Sequence, residues 1–323
     1  MLRPVSASLA ISCRQLVKRY EDKTLAVDGL DLEVKTGECF GLLGPNGAGK
    51  TTTIEILEGL LQATDGDVEV LGMRWGQNDD AIKQRIGISL QETKLSEKLS
   101  VRETLTLFRS FYRNGIAPDE AMKRVSLEEK ATAWVGKLSG GQKQRLAVAC
   151  ALVGDPELLF LDDPTTGLDP QSRRQLWDII RAFRQQGRTV LLTTHYMDEA
   201  ERLCDRVAIV DHGKVIALGT PPELIASLGG EHIIDFTLNG SSGSAQVDAA
   251  RLADLPTVRS VRNEGEHICL SVTEPHIALP ALLERLRTME QELAGLSTRH
   301  ASLEDVFVTL TGRHLRDDEA PGK

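Results

Sequence analysis

A glycine-rich run after residue 43 has the composition and spacing of a phosphate-binding loop. Its glycines allow consecutive backbone N–H groups to turn towards one anion, and the helix that follows directs its positive end to the same place. An apolar strand at residues 39–43 precedes the run, which is the context that the pattern requires. We therefore predict that a nucleotide is bound by Gly44, Pro45, Asn46, Gly47, Ala48, Gly49, Lys50, Thr51 and Thr52.

Four side chains in and near this loop have separate expected roles. We expect Lys50 to reach the β- and γ-phosphates of the nucleotide, Thr51 to ligate Mg²⁺, and Thr52 to cap the α-phosphate. Tyr20 offers an aromatic face on which adenine can stack, because such a face tolerates any base. A tyrosine at the edge of a strand is the structural alternative for this residue.

Two aspartates end a second apolar run, which covers residues 158–161. A short, wholly apolar run suits a strand that is covered on both faces of a parallel sheet. Ligands of open α/β folds bind at the carboxyl edge of such a sheet, so the run places Asp162 and Asp163 at a ligand site. We expect Asp162 to hold Mg²⁺, directly or through water.

A histidine and a glutamine follow two further strands and are expected at the same edge. His195 comes directly after the run at residues 189–194, and Gln91 follows the run at residues 86–90. A lone histidine is more often structural, but the neighbouring motifs favour a role in orienting the attacking water and binding the γ-phosphate. The amide of Gln91 is available to the metal or to water, and an ordinary surface glutamine is the alternative.

A second glycine pair opens a helix between the phosphate loop and the two aspartates. Its residues are Leu138, Ser139, Gly140, Gly141 and Gln142. The N-terminus of a helix attracts anions through its free N–H groups and its dipole, so this turn is a second candidate phosphate-binding surface. The order of the motifs indicates that ATP is bound by two surfaces, one of which this fold cannot bring to its own nucleotide.

Together these motifs resemble the ATPase subunits of ABC transporters over about two thirds of the chain. In that family a phosphate loop, a Q-loop glutamine, an LSGGQ signature, a Walker B strand, a D-loop and a switch histidine occur in this order. The D-loop match ends at Asp169, and Tyr20 matches the adenine-stacking aromatic residue. The resemblance implies ATP and Mg²⁺ as cofactors. It also implies an α/β fold, with a P-loop NTPase core, an N-terminal antiparallel β-subdomain and a helical subdomain.

The resemblance also implies a paired arrangement of subunits. In the family, the signature turn, here Ser139 to Gln142, faces a γ-phosphate held by a second ATPase subunit, and hydrolysis loosens the pair. A homodimer and a heterodimer both stay open. A finer resemblance is to daunorubicin-resistance-type exporter ATPases, on the stretches at residues 100–105, 135–146 and 302–312. It implies a drug, lipid or glycoconjugate as the exported substrate.

Asp163 departs from the family, which has glutamate after the Walker B aspartate to polarise the attacking water. Losing one methylene withdraws the carboxylate by roughly 1.5 Å, and an error near 1 Å can cost ~100-fold in rate. Three interpretations follow: slow turnover with Asp163 as base, pairing with a fully competent subunit, or an ATP-binding switch with weak hydrolysis. We favour the first, because the other motifs are intact.

The remaining sequence predicts two domains, an ATPase domain at residues 1–229 and a small α+β accessory domain at 230–323 that serves dimerisation or regulation. In the first domain we assign residues 31–39 to one strand and a helix up to about residue 60. In the second, we assign strands near residues 233–238, 258–261 and 267–272 and helices near 277–289 and 303–310. The five cysteines are widely spaced, which indicates a reducing cytosol.

The leading hypothesis is an ATPase at the cytoplasmic face of the cell membrane, bound there to a multi-span permease subunit. No apolar run approaches the ~18 residues that cross a bilayer, so we expect the helical segment Glu92–Val135 to receive the permease, as in the family. A soluble ABC ATPase acting on nucleic acid or ribosomes is the alternative. The net charge of -9 disagrees with nucleic-acid binding, and we expect none.

Overall fold

The computed structural model of the protein describes residues 8–21, 23–91, 93–239 and 250–311, with Ala250 described for its backbone only. These residues form two compact units, divided between Thr220 and Pro221. Glu92 of the predicted helical segment and Gly312 of the predicted C-terminal stretch lie outside the described residues. No helix in the described ranges is both long enough and apolar enough to span a bilayer.

The first unit alternates strands and helices. Its strands are β1 (Leu9–Arg19), β2 (Leu25–Lys35), β3 (Cys39–Leu43), β4 (Asp65–Val70), β5 (Ile86–Ser89), β6 (Leu158–Asp162), β7 (Thr189–Thr194), β8 (Arg206–Asp211) and β9 (Lys214–Gly219). Its helices are α1 (Lys50–Leu57), α2 (Asp79–Lys83), α3 (Val101–Arg109), α4 (Pro118–Arg124), α5 (Gly140–Leu152), α6 (Pro170–Gln185) and α7 (Met197–Leu203). Single 3₁₀ turns at Glu128–Lys130 and Val135–Lys137 lead into α5.

The strands of this unit build two sheets. An antiparallel sheet has the order β2-β1-β4. The central sheet has the order β5-β6-β7-β3-β8-β9, parallel except for the antiparallel pair of β8 and β9. Strands β3, β6 and β7 are buried along their whole length, which suits their apolar and β-branched residues. Because these strands are neighbours and parallel, the residues that follow them meet at one edge of the sheet.

The second unit combines α8 (Pro221–Ala226), β10 (His232–Leu238), α9 (Ala250–Ala253), β11 (Val258–Glu264), β12 (His267–Val272), α10 (Pro275–Thr288), β13 (Leu293–His300) and α11 (Leu303–Thr311). The strands pair antiparallel in the order β11-β12-β10-β13. With α9 and α10, this is the split β-α-β arrangement of ferredoxin-like domains. Its core lies under α9 and α10 and includes Ile234, Phe236, Leu270 and Leu282.

The sequence-based elements need three corrections. The predicted strand at 31–39 is divided, because Gly37 adopts a left-handed φ of 83° and turns the chain from β2 into β3. Helix α1 ends at Leu57 instead of about residue 60. Strand β13 was not predicted, because most of its residues are exposed at the sheet edge and leave no alternating apolar pattern.

The division between the units precedes the predicted domain boundary at 229/230 by about one short helix. Helix α8 packs against α11 and so belongs to the second unit. The accessory role of this part of the chain in dimerisation or regulation stays a prediction.

Candidate functional site

The glycine loop between β3 and α1 leaves no room for side chains at two positions. Gly44 has φ 153°, and a Cβ there would lie 2.2 Å from the carbonyl oxygen of Val210. Gly49 caps α1 with φ 99°, and a Cβ there would lie 2.3 Å from the carbonyl oxygen of Ala26. Glycine at both positions lets the loop pack this closely against β8 and β2, and a glycine loop before a helix can present backbone N–H groups to the phosphates of a nucleoside triphosphate.

Lys50 is folded into this loop. Its buried Nζ donates hydrogen bonds to the carbonyl oxygens of Gly44 at 2.7 Å and Pro45 at 3.0 Å. Burial lowers the pKa of the ammonium group, and attraction to Asp163 and Asp162 partly restores it. The loop thus holds a cation at its centre, where it can bind phosphate oxygens.

The first turn of α1 carries the two threonines and contacts Tyr20. The hydroxyl groups of Tyr20 and Thr52 lie 3.3 Å apart, so the predicted adenine-stacking residue lies beside the loop. Its ring is 39% exposed, with the Nζ of Lys18 5.4 Å from the ring centroid. Thr51 is exposed next to it. This arrangement leaves an aromatic face available for a base.

Asp162 ends β6 as a buried carboxylate. Its neighbour in the register is Thr193 of β7, whose hydroxyl donates a hydrogen bond of 2.5 Å to Oδ1 of Asp162. Burial raises the pKa of Asp162 above its ordinary value, whereas the bond from Thr193 lowers it. A carboxylate and the hydroxyl of Thr51 are hard oxygen donors of the kind that Mg²⁺ takes, so these residues fit the predicted metal.

Asp163 and His195 form a pair at the same edge. The Nδ1 of His195 and the Oδ1 of Asp163 lie 2.9 Å apart. The backbone N–H of Asp163 donates to the hydroxyl of Thr193 at 2.9 Å, and Asp163 itself adopts a left-handed φ of 42°. Thr193 therefore contacts both aspartates, a role that no motif in the sequence indicated.

Gln91 and Asp169 lie at the ends of other elements. Gln91 is exposed, two residues beyond β5. Asp169 caps α6: its Oδ1 accepts from the N–H groups of Gln171 and Ser172, each at 3.0 Å. Its Oδ2 accepts from the Ser172 hydroxyl at 2.6 Å, and these hydrogen bonds lower the pKa of Asp169. The predicted contribution of Asp169 to nucleotide binding stays a prediction.

The second glycine turn is the N-terminus of α5. The Oγ of Ser139 accepts from the N–H of Gln142 at 3.3 Å, and Oε1 of Gln142 accepts from the N–H of Ser139 at 3.0 Å. A Cβ at Gly140 would meet no atom within 4 Å, whereas one at Gly141 would lie 2.2 Å from Oγ of Ser172. The turn is thus open on one side and fixed against the start of α6 on the other.

Glu199 organises the elements behind the site, and sequence reasoning missed it. Its carboxylate is buried in α7 and accepts hydrogen bonds from Trp177 Nε1 at 2.7 Å and Thr165 Oγ1 at 3.1 Å. Burial raises its pKa, which the hydrogen bonds from Thr194, Trp177 and Thr165 counteract. A buried acid inside a charged helix gives no signal in the sequence, because its partners lie in separate elements.

Comparisons with known proteins agree with this geometry. Residues 27–166 match the family model described as ABC transporter. The chain is 42% identical over 318 residues to the Nod factor export ATP-binding protein I of Burkholderia orbicola, covering 95% of this chain and 98% of that protein. The protein of the same description from Ralstonia nicotianae is 38% identical, with 97% of each chain covered.

Two solved structures resemble about two thirds of the chain. An ATP binding subunit of an ABC transporter is 28% identical with a TM-score of 0.63, over 69% of this chain and 94% of that one. A dimeric ATP-binding cassette in a post-hydrolysis state, bound to ADP and Pi, is 27% identical with a TM-score of 0.59, over 65% of this chain and 98% of that one.

Proposed function

Because this chain belongs to the ABC transporter family, as an ATP-binding subunit with transport-coupled ATPase activity, we propose that it powers an exporter through ATP-driven closure of a subunit pair. The observation that carries the proposal is the meeting of Lys50, Asp162, Asp163 and His195 at the carboxyl ends of three adjacent parallel strands. Such an edge is where α/β folds bind and process ligands.

The proposed reaction is hydrolysis of the γ-phosphate by water. Lys50 and the loop N–H groups bind the phosphates, and Tyr20 stacks on adenine. Thr51, Asp162 and the Gln91 amide would hold Mg²⁺, which would supply positive charge to offset the charge on the phosphates. Asp163 takes the proton of the attacking water, and His195 orients that water from its position 2.9 Å from Asp163.

Asp163 as base is the preferred interpretation, although its carboxylate is one methylene shorter than the family's glutamate. Its backbone is fixed by Thr193 and its carboxylate by His195, so the group is held firmly in place. Fixed geometry offsets part of the loss that a shorter reach causes. We therefore expect slow turnover at this site. We prefer this interpretation to pairing with a different, fully competent subunit and to an ATP-binding switch with weak hydrolysis.

The second part of the proposal concerns the pair of ATPase subunits. The turn at Ser139 and Gly140 is exposed and begins a helix of 13 residues, and the positive end of that helix attracts a phosphate. We propose that this phosphate belongs to ATP on a second ATPase subunit, and that hydrolysis separates the two. Whether the second subunit is identical stays open.

The third part is attachment to a membrane permease on the cytoplasmic side. Exposed apolar side chains occur in the described part of the predicted docking segment: Leu107, Phe111 and Trp134 are 45%, 62% and 57% exposed. Exposed aromatic groups of this size mark contact surfaces. The names of the relatives support export, and the stretches near residues 100 and 302 support the daunorubicin-resistance branch and a drug, lipid or glycoconjugate cargo.

The proposal is tested by placing a bulky side chain in the signature turn. In Ser139→Tyr, we expect wild-type affinity for ATP, loss of ATP-dependent dimers and at least a ~100-fold lower kcat. Ser96→Tyr, at another exposed serine, is the matched control. Dimers are measured by light scattering on chains that also carry Asp163→Ala, so that bound ATP is not hydrolysed during the measurement. Undiminished activity of Ser139→Tyr, or of an isolated monomer, would contradict the proposal.

A further inference from the structure

The side chains of His195, Tyr196 and Arg173 form a continuous stack that starts at the site. The rings of His195 and Tyr196 have centroids 4.0 Å apart and are tilted by 40°. On Tyr196, the guanidinium carbon of Arg173 lies 4.3 Å from the ring centroid. The imidazole of His195 is therefore supported by Tyr196, and Tyr196 is supported by Arg173. Cation–π contacts at such distances are attractive, and arginine is well suited to them because its guanidinium group is flat.

Arg173 contacts the ring of Tyr196 through its guanidinium group, and one of its N–H groups is left without a hydrogen bond. Its Nε is buried and has no hydrogen-bond partner in the described part of the chain. Burial raises the pKa of the Glu199 carboxyl, and attraction to the charge of Arg173 counteracts part of that rise. An unpaired buried N–H is unfavourable, so a position that keeps one is held there by its other contacts. Here those contacts are the ring of Tyr196 and the charge of Glu199.

The stack has a rigid base. Arg173 lies in the first turn of α6, which Asp169 caps through Ser172. Oγ of Ser172 packs directly on Gly141 of the signature helix, where a Cβ would lie only 2.2 Å away. On the other side, the N–H of Tyr196 donates to the hydroxyl of Thr194 at 3.0 Å. Both ends of the stack are thus fixed to secondary structure.

We propose that Arg173 and Tyr196 are positioning residues for ATP hydrolysis, which fix the imidazole of His195 against Asp163. This inference rests on the proposed function. Tyr196 contacts the site through the ring of His195, and Arg173 contacts Tyr196, so both act through His195. Because a displacement of the reacting groups by about 1 Å costs ~100-fold in rate, loss of the stack should lower kcat and leave KM nearly unchanged.

The experiment measures steady-state ATPase of the full chain with substitutions in the stack. Tyr196→Leu and Arg173→Ala are expected to lower kcat by ~10- to 100-fold, with KM within about twofold of wild type. Tyr196→Phe retains the ring and should recover most of the activity. Arg181→Ala, two turns later on α6 with Asp178 as its ion-pair partner, is the matched control and should behave as wild type.

A double variant separates positioning from damage to the fold. If Tyr196 acts through His195, adding Tyr196→Leu to His195→Ala should cause no further loss of kcat, because the group it positions is already absent. The inference would be overturned if the double variant lost kcat by the product of the two single losses. It would also be overturned if Tyr196→Phe lost as much kcat as Tyr196→Leu, or if Tyr196→Leu kept wild-type kcat. If the proposed function itself is wrong, the result is different: wild type hydrolyses ATP no faster than His195→Ala. That result would overturn the proposed function and the positioning inference together.

Discussion

The Oδ1 of Asp163 and the Nδ1 of His195 lie 2.9 Å apart, although 32 residues separate them in the chain. Strands β6 and β7 are parallel neighbours, and Asp162 lies opposite Thr193 in their register. The residues that immediately follow the two strands therefore meet. This register, and no local motif, brings the short carboxylate and the histidine together.

The first prediction concerns this carboxylate. Asp163→Ala should lower kcat by at least ~100-fold, because it removes the carboxylate proposed to take the proton of the water. Asp163→Glu should retain or exceed wild-type kcat, since the added methylene extends the carboxylate by roughly 1.5 Å. Steady-state phosphate release measures both. A wild-type rate no higher than that of Asp163→Ala would show that Asp163 is not the base.

The second prediction concerns Thr193, which contacts both aspartates. Thr193→Val keeps the β-branched shape but removes the hydrogen bond that lowers the pKa of Asp162, so burial raises that pKa further. Metal binding requires the ionised carboxylate. As the pH of the assay is lowered, the variant should therefore lose activity at a higher pH than wild type does, and more Mg²⁺ should restore it.

The measurement is kcat against Mg²⁺ concentration at each pH. Thr189→Val, at the start of the same strand, is the control, because its hydroxyl accepts from the N–H of Gly37, away from both aspartates. A constant ratio of the Thr193→Val rate to the wild-type rate at every pH would contradict the role of the hydroxyl.

The sequence allowed the fold class and the main motifs to be predicted, because each is encoded in a short stretch. The P-loop NTPase core, with its antiparallel and helical subdomains, is confirmed by the observed sheets and by the structural relatives. Thr193, Tyr196 and Glu199 could not be found in this way. Their contacts depend on strand register and helix packing between distant segments, and threonine, tyrosine and glutamate are ordinary residues where they occur.

The third prediction concerns Glu58 at the end of α1. Both of its carboxylate oxygens are buried without a hydrogen-bond partner in the described part of the chain. Burial, with repulsion from Asp162 and Glu55, raises its pKa from 4.5 to about 8. The folded chain therefore binds this proton more tightly than the unfolded chain. The contribution of Glu58 to stability is therefore fully present below pH 4.5 and is lost as the pH rises towards 8.

Glu58→Gln removes this titration, so its free energy of unfolding should decline less between pH 5 and pH 8. One such group contributes at most about 1.4 kcal/mol for each pH unit. Urea denaturation of the metal-free and nucleotide-free protein at several pH values measures the slope, and Glu58→Leu should flatten it as well. Identical slopes in wild type and both variants would contradict a neutral Glu58 in the folded chain.

The last prediction concerns Asp305, which fastens α11 to the sheet of the second unit. Its carboxylate accepts from Arg299 at 2.6 and 2.9 Å and from Arg262 at 2.9 Å. It also accepts from the N–H of Ser302 at 2.9 Å. Burial alone raises the pKa of Asp305, but the bonds from Arg299 and Ser302 hold it below its ordinary value. This stabilisation is present above the ordinary carboxyl pKa and is lost as the pH falls below it.

Asp305→Ala removes a buried carboxylate and its hydrogen bonds to two arginines, so it should cost about 1–3 kcal/mol in the free energy of unfolding. Hydrogen exchange of the β10 amides in the full chain reports the loss, and exchange should accelerate there while β6 stays protected. Asp254→Ala breaks an exposed ion pair with Arg285 in the same unit and should leave exchange nearly unchanged. Equal exchange rates in the two variants would show that the buried carboxylate does not hold the second unit together.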